Sequence, residues 1–246
     1  KMREIVVADI GGTYTRVARL KNGKILDYSK KETPKTRKEI LEELLKNIIK
    51  CINKDTHKIG ISCAGVIENG VIEVSPNLPL ENFNLKNYLE KKLKLKVEIE
   101  NDVNCLAIAE AKFGVRKKNF IVLTFGTGIG GGIIIDGKLY RGKGGAGELG
   151  HIIINNKKDF ESLYKSSKSN REKLADYIGQ GIASLYSVFD PEIIVLDGGM
   201  RKGVGENFIN KIKYKTEKYM FLPRKPNIAW SKLEHPELLG AGLLFE

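Results

Sequence analysis

Apolar residues recur along the chain at two spacings, and these predict buried strands and amphipathic helices. Short apolar runs bounded by turn residues are typical of buried strands, and they occur at residues 4–10, 58–63, 97–100, 120–125 and 193–196. Apolar residues three and four positions apart predict helices over residues 36–51, 85–95, 102–113, 159–168, 171–189 and 236–245. Strands that alternate with helices indicate an α/β fold.

The opening pattern of the chain is repeated in its second half. Residues 4–10 are followed by a glycine turn, a second strand, an Asn-Gly hairpin signal at residues 22–23 and a third strand. Residues 120–125 are followed by another glycine turn, a strand and a hairpin signal at residues 136–137. Only two copies occur, and they lie far apart, which indicates a duplicated lobe and not a solenoid.

Length and composition are those of a globular protein. The chain has 246 residues, 41% of them hydrophobic, which is enough for one domain or two compact lobes. No apolar run approaches the roughly 20 residues that cross a bilayer, so we expect no membrane partner. Because residue 1 leads almost directly into the first strand, we expect no signal peptide and a cytoplasmic location. The cysteines Cys51, Cys63 and Cys105 have no metal-like spacing and are expected to be buried thiols.

The formal net charge of +12 raises the question of nucleic acid binding. However, the lysines are scattered over the whole chain, often beside glutamate, and no helix has a basic stripe with interleaved aromatic residues. We therefore expect a solvated, lysine-rich surface and no nucleic acid partner.

Glycine turns between strands are the first candidates for chemistry. Glycine lets backbone N–H groups approach phosphate oxygens, and a neighbouring threonine adds a hydroxyl donor. Three segments of this kind occur: Gly11, Gly12 and Thr13; Thr127 and Gly128; and Gly198 and Gly199. Hairpins also use glycine for structural reasons alone, but three such segments in one chain favour a nucleotide site.

Two common nucleotide motifs are nevertheless excluded. No segment fits the P-loop pattern GxxxxGK[ST], and the glycine-rich residues 126–131 are followed by a strand where a dinucleotide fingerprint requires a helix. Asp9 ends the first strand and is placed to hold Mg²⁺ through water, since this ion usually keeps several of its waters.

Polar residues at two further positions are candidates for substrate chemistry. Asn101 and Asp102 lie at a strand-to-helix junction, where ligands bind in open α/β folds, although an aspartate there is also a common helix N-cap. In the segment of residues 147–151, Glu148 is flanked by glycines and His151 precedes an apolar strand. A lone histidine is more often structural, so this segment is only suggestive by itself.

Taken together, these segments resemble the ROK family, which comprises repressors, open reading frames and kinases. They occur in that family's order: Asp9-Ile10-Gly11-Gly12-Thr13, Asn101-Asp102, Thr127-Gly128-Ile129-Gly130, Gly147-Glu148-Leu149-Gly150-His151 and Asp197-Gly198-Gly199. The resemblance implies an actin-like ATPase (ribonuclease H-like) fold of two lobes, with ATP and sugar in the central cleft. We place residues 1–102 and 236–246 in the N-terminal lobe and residues 103–235 in the C-terminal lobe.

The resemblance also implies a role for each motif residue. Asp102 is the expected catalytic base. The expected sugar ligands are Asn77, Asn101, Glu148, His151 and Glu161. The expected ATP and Mg²⁺ site consists of Asp9, Gly11, Gly12, Thr13, Thr127, Gly128, Gly198 and Gly199. Homodimers are usual in the family that the chain resembles, so the resemblance implies a homodimer.

One departure from the family pattern concerns zinc. Family members usually follow the histidine with a CxCGxxGCxE zinc loop, whereas residues 155–161 here contain no cysteine. We therefore expect no structural zinc and a His151 side chain held by hydrogen bonds. Glu161 still resembles the glutamate that closes the family's loop.

The implied activity is ATP-dependent phosphorylation of a hexose, with glucose as the first choice. The alternatives are an N-acetylhexosamine (N-acetylmannosamine or N-acetylglucosamine) or another hexose as substrate. Two further functions are a non-catalytic sugar sensor and a repressor. The presence of Asp102 and of both glycine turns argues against the sensor. Repressors of the family carry an N-terminal winged helix-turn-helix, which we do not expect here because the first strand begins at Glu4.

Overall fold

The computed structural model describes residues 4–246. Residues 1–3 lie outside the described residues. The expected absence of a signal peptide partly rests on them. The chain divides into two compact units: the chain up to Ala109 together with Glu234–Glu246, and Glu110–Leu233. We call them unit 1 and unit 2.

Strands and helices are numbered in chain order. The strands are β1 (Glu4–Ile10), β2 (Tyr14–Lys21), β3 (Lys24–Glu32), β4 (Thr56–Cys63), β5 (Val66–Glu68), β6 (Val71–Val74), β7 (Phe83–Asn84), β8 (Lys96–Asn101), β9 (Phe120–Phe125), β10 (Ile129–Ile135), β11 (Lys138–Leu139), β12 (Ile153–Asn155), β13 (Lys158–Asp159), β14 (Ile193–Asp197) and β15 (Ile228–Trp230). The α-helices are α1 (Arg37–Cys51), α2 (Leu85–Leu93), α3 (Asp102–Lys112), α4 (Phe160–Ser167), α5 (Arg171–Phe189), α6 (Met200–Val204), α7 (Phe208–Tyr219) and α8 (Pro236–Gly242).

Unit 1 is built on a five-stranded sheet in the order β3-β2-β1-β4-β8. The strands β3, β2 and β1 pair antiparallel, whereas β1, β4 and β8 run parallel. The register places Ile10 beside Cys63, and Cys63 beside Asn101. Because these three residues are level, the segments that follow β1, β4 and β8 all begin at the same edge of the sheet.

Helices cover both faces of this sheet because successive side chains of a strand point to opposite faces. On one face Val6 and Ala8 pack with Leu44 of α1. On the other face Val7 packs with Leu238 of α8. The Thr36 side chain caps α1, because it accepts a hydrogen bond from the amide of Glu39.

Unit 2 repeats this sheet in the order β11-β10-β9-β14-β15. Again the first three strands pair antiparallel and the last three run parallel. Its core includes Leu123 and Phe125 of β9, Phe160 of α4 and Ile182 of α5. The prediction of a duplicated lobe is therefore confirmed, with a glycine turn following the central strand of each sheet.

Several bounds and elements differ from the sequence prediction. The predicted bounds of β1, β9 and α5 are confirmed, but the last helix ends at Gly242 and not at residue 245. The sequence analysis missed α6, α7 and β15. In α7 the buried side chains Phe208, Ile212 and Thr216 alternate with lysines, so only one narrow stripe is apolar. Cys51 is only partly buried because it ends α1, whereas Cys63 and Cys105 are buried as predicted.

No helix within residues 4–246 is both long and apolar enough to span a bilayer.

Candidate active site

The first glycine turn joins β1 to β2 and is held in place by a neighbouring threonine. The amide of Gly11 donates to the carbonyl of Tyr14 at 3.1 Å, which closes the turn. The amide of Thr33 donates to the Thr13 carbonyl at 2.9 Å, and the Thr33 hydroxyl donates to the Gly11 carbonyl at 2.6 Å. These bonds fix the backbone of the turn while the Thr13 side chain stays exposed.

Asn77 lies directly against this turn. A Cβ on Gly12 would be 3.0 Å from the Asn77 Cβ and 3.1 Å from its carbonyl oxygen. Asn77 itself is exposed, while the nearby Leu78 and Leu80 are buried in the core of unit 1 and anchor the segment. The structure thus brings one predicted sugar ligand next to the first predicted phosphate turn.

Asp9 is buried beneath the turn and is paired on both oxygens. Arg16 Nη1 donates to its Oδ2 at 2.6 Å, and the Ser62 hydroxyl donates to its Oδ1 at 2.9 Å. Burial raises the pKa of the Asp9 carboxyl, and the charge of Arg16 and the Ser62 hydroxyl offset part of that rise.

This pairing restricts how Asp9 fits a metal ion. Each carboxylate oxygen has a lone pair left for a water molecule, so a contact to Mg²⁺ through water fits, whereas direct coordination would compete with Arg16. Within residues 4–246 no three His, Cys, Asp or Glu side chains form a group able to hold a metal ion.

Asn101, and not Asp102, acts as the main cap of α3. Its Oδ1 accepts hydrogen bonds from the amides of Val103 at 2.9 Å and Asn104 at 3.1 Å. The Asp102 Oδ1 accepts from the adjacent Val103 amide at 3.0 Å, and the side chain is partly exposed at the carboxyl end of β8. The alternative reading of Asp102 as an ordinary N-cap is therefore weakened.

Asp102 and Asp9 flank the end of β4. Burial raises the pKa of the Cys63 thiol, and the charges of Asp102 and Asp9 raise it further. Since adjacent strands lie about 4.8 Å apart, the turn after β1 and the start of α3 are separated by roughly 10 Å.

The second glycine turn and the glycine pair lie side by side in unit 2. The end of β14 is in register with β9, with Asp197 beside Thr124. Gly198 has a positive φ of 101°, and a Cβ there would be 2.5 Å from the Phe125 carbonyl oxygen, so the backbones touch. The predicted sites at Thr127–Gly128 and Gly198–Gly199 are therefore neighbours.

Two glycines of this group have no structural need to be glycine. A Cβ on Gly126 or Gly199 would meet nothing within 4 Å, and neither has a positive φ. Open space beside the backbone of Gly199 leaves room for a ligand at one residue of the predicted ATP site.

Glu148 and His151 lie on the exposed side of a short 3-10 helix, Leu149–His151. Leu149 between them is buried against Gly131, which anchors the segment on β10. The His151 Nε2 is 3.9 Å from the Glu148 Oε2, beyond hydrogen-bond distance. The amide of His151 donates to the Glu148 carbonyl at 3.1 Å, and the expectation that hydrogen bonds hold the His151 side chain stays a prediction.

The segment that replaces the zinc loop is a tight hairpin. Asn155 of β12 pairs with Lys158 of β13, and the two residues between them, Asn156 and Lys157, both have positive φ. Two left-handed residues in a two-residue loop are typical of a type I′ hairpin.

Glu161 follows this hairpin on α4 and lies against the second glycine turn. Its Oε2 accepts a hydrogen bond from the Ile129 amide at 2.7 Å, and its Oε1 pairs with Lys165. Among the predicted sugar ligands, Glu161 is thus placed beside predicted phosphate residues of unit 2.

Several side chains that shape the site were missed by the sequence analysis. They are Arg16 and Ser62 around Asp9, Thr33 at the first turn, and Tyr164 and Lys168 at the second. Arg16 and Ser62 are distant from each other in sequence, and only strand pairing brings them to Asp9. The spacing of residues 161, 164 and 168 was a usable signal, because it places them on one face of a helix.

Comparison with known proteins identifies the class of fold. A ROK family glucokinase from Streptomyces griseus, solved in complex with glucose and AMPPNP, matches this structure with a TM-score of 0.85 and 25% identity, covering 98% of each chain. The predicted fold is confirmed: the chain is a mixed α/β protein with the actin-like ATPase fold.

The family follows from the sequence comparison. The model of the ROK family matches residues 5–163, and the chain belongs to that family. A glucokinase of Halalkalibacterium halodurans is 29% identical, over 90% of this chain and 87% of that protein. A xylose repressor of Caldicellulosiruptor bescii is 27% identical, over 91% of this chain and 72% of that protein.

Proposed function

We propose that this protein is an ATP-dependent sugar kinase that phosphorylates a hexose hydroxyl, with glucose as the first candidate. The observation that carries the proposal is the arrangement at one edge of the sheet in unit 1. There the first glycine turn contacts Asn77, and Asp102 begins α3, whose N-terminus is capped by the Asn101 side chain. Similarity to kinases that act on sugars supports the same reading.

Asp102 acts as the general base in this proposal. Phosphoryl transfer proceeds through a loose transition state, so the protein mainly positions the reactants and neutralises charge. The Asp102 carboxylate takes the proton of the sugar hydroxyl as that oxygen attacks the γ-phosphorus, and the bond from phosphorus to the leaving oxygen breaks. Asn101 holds the start of α3 and thereby fixes the direction from which the carboxylate approaches.

The glycine segments bind the phosphate donor. The Gly11 amide closes the first turn on Tyr14. The backbone amide of Gly12 and the Thr13 hydroxyl bind phosphate oxygens beside it, and Thr127 and Gly128 do so in unit 2. The open face of Gly199 packs against the adenosine, with Gly198 fixing the backbone. Mg²⁺ supplies positive charge to the phosphates, and Asp9 is the residue that would hold it through water.

The sugar ligands are exposed polar side chains on anchored segments. Asn77 and Glu148 each precede a buried leucine, and His151 follows the buried Leu149 and Gly150, so the backbone is fixed while the polar groups stay accessible. Asn101 has both Oδ1 bonds and one Nδ2 bond in use, so its remaining N–H is what it offers to a sugar.

A second candidate is sugar-dependent regulation without catalysis. The observation in its favour is the xylose repressor of Caldicellulosiruptor bescii, which matches 91% of this chain. Sugar binding without turnover is the property that separates this candidate from a kinase.

ADP release with Mg-ATP over a panel of hexoses and N-acetylhexosamines tests the proposal. We expect turnover on one sugar, unaffected by zinc chelation, and a loss of about 10²–10⁴ in kcat for Asp102→Asn with sugar affinity retained. Asp27→Asn, which changes a half-exposed aspartate on β3, is the matched control and should keep kcat. Comparable kcat in Asp102→Asn would refute the base assignment, and sugar binding with no turnover on any sugar would favour regulation.

A further inference from the structure

A series of side-chain hydrogen bonds ties the hairpin of β12 and β13 to two helices. The Asn155 Nδ2 donates to the Gln180 Oε1 at 2.9 Å, and the Gln180 Nε2 donates to the Asp176 Oδ2 at 2.9 Å. Asp176 also accepts from the Tyr219 hydroxyl, at 2.9 Å on Oδ1 and 3.0 Å on Oδ2. Asn155 ends β12, Gln180 and Asp176 belong to α5, and Tyr219 ends α7. We call these four side chains the hairpin network.

The direction of the network is set by its one carboxylate. The Asp176 carboxylate, with Lys215 Nζ 3.6 Å from its Oδ1, only accepts hydrogen bonds. Gln180 must therefore turn its NH₂ group toward Asp176 and its carbonyl oxygen toward the hairpin. Asn155 must then donate, which is the arrangement observed. Each amide has one orientation that satisfies both of its neighbours, so the network specifies a single position for the hairpin.

Two glycines flank Gln180 and let its neighbours approach α5 closely. A Cβ on Gly179 would lie 2.8 Å from the Lys215 backbone, and one on Gly181 would lie 2.5 Å from the Phe160 ring. Residues two apart lie on nearly opposite sides of a helix. Helix α7 thus packs against one side of α5, and the residue that follows the hairpin packs against the other. Gln180 lies between these two contacts and is held by both.

The base of the hairpin carries two predicted sugar ligands. The Phe160 amide donates to the Ile152 carbonyl at 2.9 Å. His151 precedes this bond and Glu161 follows it, so both side chains leave the base of the same hairpin. A Cβ on Gly150 would lie 3.4 Å from the Glu161 Cβ, which places the two segments in contact. A displacement of the hairpin therefore moves both predicted ligands.

The side chains of the hairpin loop do not fit the zinc ion of the family's loop. Structural zinc takes thiolate, imidazole or carboxylate ligands, whereas residues 155–158 are two asparagines and two lysines. Lysine ammonium groups repel a cation and have no lone pair to offer it. The three cysteines, at positions 51, 63 and 105, all belong to unit 1.

We propose that the hairpin network takes the place of a structural metal: it fixes the hairpin on α5 and α7 and thereby positions His151 and Glu161 for the sugar. This inference rests on the proposed function. Asn155, Gln180 and Asp176 are positioning residues, since they act through the backbone of the hairpin and not on the sugar itself.

Glucose affinity, AMPPNP affinity and hydrogen exchange of residues 152–160 test the network together. If glucose does not bind, the hexose of the panel that binds most tightly replaces it. We expect Gln180→Ala to speed exchange in the hairpin and to weaken glucose about 10-fold, because a hairpin correctly placed in about a tenth of the molecules lowers the apparent affinity by that factor. AMPPNP affinity should change by less than about threefold, since the first glycine turn and the glycine pair lie on other elements.

Two variants of Asp176 separate hydrogen bonding from charge. Asp176→Asn keeps an oxygen that accepts from Gln180 and should retain glucose affinity within about twofold. Asp176→Ala removes the acceptor and should behave like Gln180→Ala. Loss of glucose affinity in Asp176→Asn equal to that in Asp176→Ala would contradict the proposed hydrogen-bonded network.

Asn227→Ala is the matched control. The Asn227 Nδ2 donates to the Glu192 carbonyl at 2.8 Å, at the amino ends of β14 and β15. This variant also loses a hydrogen bond from a side-chain amide of unit 2. It should lower the melting temperature without changing glucose affinity or the exchange of residues 152–160.

The unmodified protein tests the network against a metal. Addition of Zn²⁺, followed by a zinc chelator that spares Mg²⁺, should leave glucose affinity and hairpin exchange unchanged. A change in either quantity on zinc loading or removal would show that a metal holds the hairpin, and the inference would be overturned.

The remaining outcomes also decide the inference. Faster exchange with unchanged glucose affinity in Gln180→Ala would make the network structural only. Equal loss of glucose and AMPPNP affinity, or no effect on either exchange or affinity, would also refute the positioning role. If the unmodified protein binds glucose without turnover, the proposed kinase activity fails, while the same affinities still decide the network. If it binds no hexose of the panel, the proposed function and the network's role in sugar binding both fail.

Discussion

The side chain of Asn101 donates a hydrogen bond from Nδ2 to the carbonyl of Gly65 at 2.9 Å, which ties the end of β8 to the segment that follows β4. The other end of the same side chain caps α3 through the amides of Val103 and Asn104. One residue therefore joins two strand ends and the helix that begins with Asp102, so the position of the carboxylate depends on it.

Replacement of Asn101 should impair both stability and catalysis. We expect Asn101→Ala to lower the free energy of unfolding by about 1–2 kcal/mol, because a helix cap and a hydrogen bond are lost. We also expect kcat to fall on the order of 10-fold, because Asp102 is no longer held in one orientation. Urea unfolding and steady-state kinetics with the preferred sugar measure the two effects.

Asn84 offers a control with the same capping chemistry. Its Oδ1 accepts from the Asn87 amide at 2.9 Å at the start of α2. Asn84→Ala should cost about 1 kcal/mol of stability and leave kcat unchanged. If both variants lose kcat to the same extent, Asn101 has no special role in placing Asp102.

The pairing of Arg16 with buried Asp9 should make the stability of an Arg16 variant depend on pH. Arg16→Met leaves the Asp9 carboxylate buried beside Ser62 without its positive partner. We expect a loss of about 1–3 kcal/mol at neutral pH, less than for a fully buried pair because the Arg16 side chain is partly exposed.

The sign of the pH dependence follows from the pKa of Asp9. Burial already raises this pKa, and removal of Arg16 raises it further, so the folded state binds a proton more tightly than the unfolded chain. The loss should therefore shrink as the pH falls from 7 toward about 5. Urea unfolding of both proteins across this range is the measurement, and a difference that grows on acidification would contradict the pairing.

The two residues of the glycine pair should respond differently to alanine. Gly198→Ala forces a Cβ onto the Phe125 backbone at a positive φ, so we expect a loss of at least about 1 kcal/mol of stability. Gly199→Ala places its methyl group in open space and should change stability by no more than about 0.5 kcal/mol.

Nucleotide affinity separates the roles of this pair. If adenosine occupies the space beside Gly199, the added methyl group of Gly199→Ala should weaken AMPPNP binding about 10-fold. An effect of this size is expected when one extra methyl group crowds a packed contact. Glucose affinity should not change. Unaltered AMPPNP binding by a stable Gly199→Ala protein would remove this residue from the predicted ATP site.

Much of the fold followed from local patterns. Residues 4–10 and 120–125 were recognised as strands because they are short apolar runs bounded by turns, and α5 because its apolar residues keep helical spacing over its whole length. The capping of α1 was also predictable, since Thr36 and Glu39 have the spacing of a capping box. By contrast, α6 is a single turn with little periodicity, so local pattern was insufficient.

The candidate site was predicted as a set of residues but not as a set of contacts. The motif at residues 9–13 indicated a phosphate turn, yet nothing in the sequence showed that Asn77 packs against Gly12. The sequence also did not show the hydrogen-bond partners of Asp9. Arg16 lies on β2 and Ser62 on β4, and both reach Asp9 only through strand pairing.

By itself the sequence determined the α/β class, the duplicated strand pattern, the ROK motifs and the glycine turns, because all of these depend on residues close together in the chain. The tertiary structure decided which polar groups remain available. Asn101 is largely occupied by Gly65 and α3, Asp9 by Arg16 and Ser62, and Glu161 by the second turn. The physical reason is that a buried or half-buried polar atom must satisfy its hydrogen bonds, and its partners are chosen by strand register and helix packing over long sequence distances.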